Sequence, residues 1–338
     1  MEGFFSAFSG GYRARHRTQQ AIVALRRSSK HIDAAEARCL IALADAYTTF
    51  FEGRNWERAH EALMVAQRIT EDAGKADASW VSHLEALRYN ALYWMGRPGT
   101  AARELPAAIQ RADERGNKFV WSLMMLVSGW ASYCRGDVDE GRRLHRVGLE
   151  PWKDDALYLP FWWRTLADYA AHMRQGNPCA AFESVDRAWP KLRKGLIVNQ
   201  ELYRIEARSV RARAALGCAR HSNRDRAQML RVAEREAARI HKEEVPWAKG
   251  VALSLRGAAA SIRGDHKAAQ RHLADAEPVL EAASLEMVLA FCRRGRGSLL
   301  GGDEGQALVD TAGQWFDSQG VKEPEQLSVI YLPGSWDR

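Results

Sequence analysis

The sequence predicts an all-α fold, a right-handed solenoid of about seven antiparallel helix pairs. Three observations carry that prediction. A glycine closes an apolar, helix-like run about every forty residues, at Gly53, Gly96, Gly136, Gly176 and Gly264, and again at Gly302. The runs between them place apolar residues at helical spacing, and no segment sustains the two-residue alternation of a half-buried strand. The ten prolines fall mostly at links or helix starts, as with Pro98, Pro151, Pro160, Pro178 and Pro246.

The turn has explicit chemistry. "TTFFEG", "LYWMG", "ASYCRG", "AHMRQG" and "ASIRG" end at intervals of 43, 40, 40 and 88 residues, the last spanning two periods. Glycine, lacking Cβ, takes the left-handed conformation that stops a helix. Asp137, Asn177 and Asp265 follow directly and are expected to cap the next helix through a side-chain oxygen. A small residue five positions after the glycine (Ala101, Gly141, Ala181, Ala269), or six after Gly53 (Ala59), lets two helices approach closely. A turn without glycine is expected near residue 220, in "GCARHSNRD".

Between the turns, Trp80, Leu84, Leu87, Ala91 and Tyr93–Trp94 form one apolar stripe. Val198, Leu202, Ile205 and Ser209–Val210 form another, with Glu201, Arg204, Glu206 and Arg208 on the remaining faces. The segment "RRGRGSLLGGDEG", residues 293–305, resembles a phosphate-cradling loop at first sight. Its glycines follow GxGxxxG rather than GxGxxG spacing, and no strand precedes it. Gly302 lies 38 residues after Gly264, with Asp303 next and Ala307 five positions on, so the segment reads as the seventh helix-pair turn. Gly295 and Gly297 are left without a role in a predicted helix.

A period of 38 to 44 residues with this turn resembles the tetratricopeptide repeat with lengthened helices. HEAT-type pairs fit the period but lack the regular glycine turn. The expected organisation is a basic segment over 1–33, helical repeats over 34–319, and a C-terminal cap and tail over 320–338.

Hydrophobic residues make up 46%, a globular share, and the formal charge of +7 comes from 39 Arg and 10 Lys against 42 acidic residues. Spread over a long helical surface, this excess argues weakly for nucleic acid. The basic run "YRARHRTQQAIVALRRSSKH" is read as a solvated face or linker. Cys39, Cys134, Cys179, Cys218 and Cys292 are scattered and odd in number. That pattern argues against a disulfide framework and a zinc site and fits a reducing compartment. The N-terminus makes a poor signal peptide, and the longest uncharged run, Phe119 to Cys134, is too short to span a membrane. A soluble, cytoplasmic protein is expected.

No catalytic motif is found. "EDAGKADAS" has only the Gly74–Lys75 pair of a Walker A loop, and no HRD or DFG triplet of a protein kinase occurs. His266 and His272 are six apart, off one helical face. The pairs Asp154–Asp155 and Glu243–Glu244 precede helices, where they favour the positive end of the helix dipole. The expectation is a protein that is not an enzyme and takes no cofactor or metal.

Candidate partner-binding residues are those expected on first helices facing a concave groove: Arg88, Trp94, Arg164, Arg204, Arg208 and Arg256. Around the long link "EPWKDDALYLPFWWRTLADY", Trp152, Tyr158, Phe161, Trp162, Trp163 and Tyr169 form an aromatic cluster. Two readings stand: a platform for a partner, with Trp162 and Trp163 beside Arg164, or core filling between successive helix pairs.

Two stretches carry a family resemblance. "AWPKLRKGLIVNQELYRIEARSVRARAAL", residues 188–216, and "RRGRGSLLGGDEGQALVDTAGQWFDSQGVKEPEQLSVIYLPG", residues 293–334, resemble the C-terminal region of large bacterial serine/threonine protein kinases. "GDHKAAQRHLADAEPVLEA" between them also fits, and the resemblance covers roughly residues 35–334. In that family a kinase domain, often followed by an ATPase module, precedes a helical-repeat region. The shared motifs are structural, and the residues of ATP binding and phosphoryl transfer have no counterpart here.

The resemblance implies a regulatory scaffold that binds a protein or peptide in its concave groove, with a kinase or ATPase module as partner in cis or trans. The alternative is a ligand-sensing helical-repeat module of a transcriptional regulator. Nucleic acid and membrane are not expected partners.

Overall fold

The structure, a computed structural model, describes residues 34–74, 79–152, 159–195 and 197–336, with positions 20, 23, 24 and 27. The basic N-terminal run, the Asp154–Asp155 pair and Tyr158 lie outside the described residues. Within them the chain is all-helical, with no strand. The order is α1 (Ala34–Glu52), α2 (Trp56–Asp72), α3 (Ser79–Met95), α4 (Pro98–Glu114) and α5 (Lys118–Cys134). Then come α6 (Val138–Leu149), α7 (Leu159–Arg174), α8 (Pro178–Lys194), a 3-10 turn (Ile197–Asn199), α9 (Glu201–His221) and α10 (Arg226–Ile240). The chain closes with α11 (Pro246–Ile262), α12 (His266–Ala282), α13 (Glu286–Leu300), α14 (Gly302–Ser318) and a short α15 (Pro324–Tyr331). No described helix is long and apolar enough to cross a membrane.

The turns form as their chemistry dictates. Gly53, Gly96, Gly136, Gly176 and Gly264 all have φ in the left-handed region. Asp137 and Asp265 accept from the Glu140 and Ala268 amides at 3.1 and 3.0 Å, and Asn55 caps α2 through the Arg58 amide at 2.8 Å. Asn177 makes no such bond; Pro178 already begins α8 there. Ala59, Ala101, Ala181 and Ala269 are fully buried, which is the close approach expected of them. Near residue 220 α9 runs on to His221, and Ser222 to Asp225 make the turn without glycine.

From α1 to α14 each helix packs on the next, and odd-numbered helices also pack on one another: α1 on α3, α3 on α5, α7 on α9 and α9 on α11. The odd helices therefore form an inner layer and the even ones an outer layer. The two ends of this array meet. Asn55 Nδ2 donates to the Ala282 carbonyl at 2.8 Å, and the Trp56 amide to that of Ala283 at 3.1 Å. Arg97 binds both Glu57 and Glu286. The inner side is not an open groove, contrary to expectation: α15 packs across α7, α9 and α13. Lys322 N bonds the Cys134 carbonyl at 3.0 Å, and Tyr169 Oη donates to the Ile330 carbonyl at 2.7 Å.

Three further expectations are corrected. Cys179 and Cys218 form a disulfide. They lie 39 residues apart, about one period, and the packing of α8 on α9 brings such positions together. Glu201 and Glu206, expected on the faces left over by the apolar stripe, are buried, because α9 has neighbours on several sides. Gly295 and Gly297 acquire roles: a Cβ on Gly297 would stand 2.5 Å from the Gly305 carbonyl oxygen, and one on Gly295 would press on the Trp336 ring at 3.1 Å. Here Gly305, not Ala307, lets α13 and α14 approach.

Gly96 combines the two demands on glycine. Its φ is 81°, and a Cβ there would lie 2.2 Å from Met287 Cβ across the junction of the two ends. Gly116 has φ 65° but open space around it. Thermal or urea melts should show Gly96→Ala losing roughly 3 kcal/mol or more, against about 1 kcal/mol for Gly116→Ala, since only the first adds overpacking to left-handed strain. Equal losses would contradict the packed junction.

Candidate functional site

The inner layer lines a chamber of two adjoining lobes, of about 100 Å³ and about 60 Å³. Tyr93, Trp94, Glu206, Val210, Arg213 and Tyr331 border both. Helix α9 supplies Glu206, Val210 and Arg213 at i, i+4 and i+7, so helical spacing alone puts them on one stripe. The larger lobe adds Leu126 and Trp130 from α5 and Trp163 and Tyr169 from α7; the smaller adds Ser209, Trp247 and Val288. Tyr331 of α15 completes the wall, its hydroxyl accepting from Trp130 Nε1 and its ring stacked on Phe291 with centroids 5.5 Å apart.

Among the described residues Glu206 is the chamber's one carboxylate, with 7% of its surface exposed. Tyr93 Oη donates to Oε1 at 2.9 Å and Trp162 Nε1 to Oε2 at 2.7 Å. Burial raises its carboxyl above the ordinary value, against those two bonds and the nearby Arg213 charge. Burial also holds the Tyr93 and Tyr331 phenols well above their usual range, so they are neutral donors. The Cys134 thiol is pushed up to about 12, which keeps it from acting as a thiolate near neutrality. His145, whose Nε2 lies 3.1 Å from the Leu126 carbonyl, is pushed down to about 4 by burial and is neutral at pH 7.

The structure brings only part of the candidate set to this chamber. Trp94 lies in its wall, stacked on Trp56 at 5.0 Å, and Trp163 lines the larger lobe. Trp162 is fully buried and acts through Glu206. Around the α6–α7 link the aromatics fill the core, with Trp163 5.4 Å from Phe119 and Trp152 Nε1 donating to Ser122 Oγ at 2.8 Å. The arginines are engaged elsewhere. Arg88 pairs with Glu104, Arg204 with Glu243, and Arg208 with Glu236; Arg164 donates to the Trp152 carbonyl at 3.1 Å. Arg256 borders a separate surface pocket with Glu234, Arg263 and His272.

Arg213, Trp130 and Tyr331 were not singled out by the sequence, and Tyr93 and Glu206 were named there for helix periodicity and not as site residues. A signal existed for Tyr93 and Trp130: each lies within two helical turns before a turn glycine, three residues before Gly96 and six before Gly136. Comparison with protein-family models, curated proteins and solved structures gives no match.

Because the folded chain favours protonated Glu206, its contribution to stability is present below the ordinary carboxylate range and is lost as pH rises through the raised folded value. Urea melts from pH 4 to pH 8 should show wild type losing ground steadily to Glu206→Gln. A difference independent of pH would contradict the burial of a titrating carboxyl there.

Proposed function

We propose that this chain is a non-catalytic regulatory module that recognises a small molecule in the chamber between its inner helices. The observation that carries the proposal is the chamber itself, an aromatic-lined cavity with few convergent polar groups. Its size suits a compact molecule and not a peptide: an apolar cavity of about 150 Å³ holds a benzene. Its walls come from α3, α5, α7, α9, α11, α13 and α15, so occupancy acts on contacts distributed along the array. Occupancy and α15 docking are linked, because Tyr331 borders both lobes.

On this reading the array is a tetratricopeptide-like right-handed solenoid of about seven helix pairs, curled until its first and last pairs touch. The resemblance of residues 188–216 and 293–334 favours a role beside a serine/threonine kinase; a transcriptional regulator would use the same chamber with a different output. A second reading keeps a protein or peptide partner on the inner face. It is favoured by α15, itself a peptide segment seated across α7, α9 and α13, which such a partner would displace.

Indole is a suitable probe, matching the aromatic lining in size. Calorimetric titration should detect binding to wild type. Ala170→Phe, which projects a ring into the larger lobe, should weaken it at least tenfold with unchanged circular dichroism; Ala167→Leu is the milder second variant. Binding unaffected by both substitutions would refute the chamber as the site.

A further inference from the structure

We infer that the chamber's ligand is a compact aromatic acid, its ring among Tyr93, Trp130, Trp163 and Tyr331 and its carboxylate on Arg213 and Ser209. The inference rests on the chamber being the binding site and adds the chemistry of what it takes.

Arg88, Arg204, Arg208 and Arg211 each hold a carboxylate of this chain. Among the described residues Arg213 makes no ion pair, and its guanidinium lies over the face of Tyr331, 5.8 Å from the ring centroid. Its Nε is buried without a hydrogen-bond partner. One turn earlier on α9, Ser209 Oγ is in the same state on a residue only 4% exposed. Both residues border the smaller lobe, and Arg213 reaches the larger one as well.

Leaving such groups unserved is costly, more so for a charge, and an external acceptor removes that cost. A guanidinium N–H and a hydroxyl side by side call for an oxygen acceptor, and the unpaired positive charge favours an anionic one. Glu206 does not serve Arg213: its two oxygens are turned to Tyr93 and Trp162. Nor is a second carboxylate forced against it, since burial favours the protonated form of Glu206. The rest of the ligand meets ring faces and edges: Tyr93 lies edge-on to Trp130 at 5.2 Å, leaving aromatic surface toward the lobe.

The test uses the full chain and three isosteric probes, benzoate, benzyl alcohol and benzylamine, titrated by calorimetry beside indole. The expected result is benzoate binding at least tenfold tighter than benzyl alcohol. Arg213→Met should erase that preference while leaving benzyl alcohol binding in place, and Ser209→Ala should reduce it several-fold. Arg213→Lys, which keeps the charge, should retain part of it and guards against misfolding of the first variant. Equal binding of benzoate and benzyl alcohol overturns the inference, and so does benzylamine binding tightest with loss on Glu206→Gln; in both cases the chamber stands as a site for another class. Silence from all three probes and from indole removes the chamber reading itself.

Discussion

The junction where Gly96 and Arg97 meet Glu286 and Met287 is the contact on which the rest of the molecule depends. Gly96 permits a backbone approach that no side chain would allow. Next to it, the Arg97 guanidinium holds Glu57 from one end of the array and Glu286 from the other, and those carboxylates raise its affinity for its proton. Removing either partner would strand a half-buried charge, a larger loss than the pair's own net contribution. The chamber lies between the inner faces of the odd helices that this junction helps hold together.

Helix α9 carries the polar chemistry of that interior. Packed on several sides, it nevertheless holds Glu201, Glu206 and Arg213, and each is treated differently. Glu201 Oε1 accepts from the Glu244 and Val245 amides at 2.8 and 3.1 Å, satisfying backbone groups that enter α11. Glu206 is served by a phenol and an indole, whereas Arg213 has only an aromatic face. On its outer side, fully buried Glu236 of α10 gathers Arg208, Arg211 and Arg239, which withdraws two of α9's own arginines from any external ligand. The unequal service of these groups separates structural charges from one that remains available.

Arrival of the C-terminal segment settles the character of the inner face. Tyr331 reaches Trp130, Phe291 and the Cys134 thiol, and the extended tail beyond it sets the Ser335 amide on Ser261 Oγ at 3.0 Å. A groove covered this way presents a ring-sized cavity where an uncovered one would present a long surface. That difference moves the functional reading from a peptide laid along the array toward a small molecule held within it.

The helices and their turns were legible in the sequence because their causes are local. A left-handed glycine, a capping side chain one or two residues on and a small residue one turn later act within a single link. Their recurrence every forty or so residues exposes the plan. Even Gly295 and Gly297, which had no role along the chain, are explained only by what faces them, Trp336 and Gly305. The tertiary structure alone decided that Glu206 is buried, that Cys179 meets Cys218, and that Arg88, Arg204 and Arg208 are held by carboxylates of the same chain. Those outcomes depend on curvature accumulated over many turns and on a segment arriving more than a hundred residues after α9 begins. Helical periodicity states which residues share a face; it does not state what that face will meet.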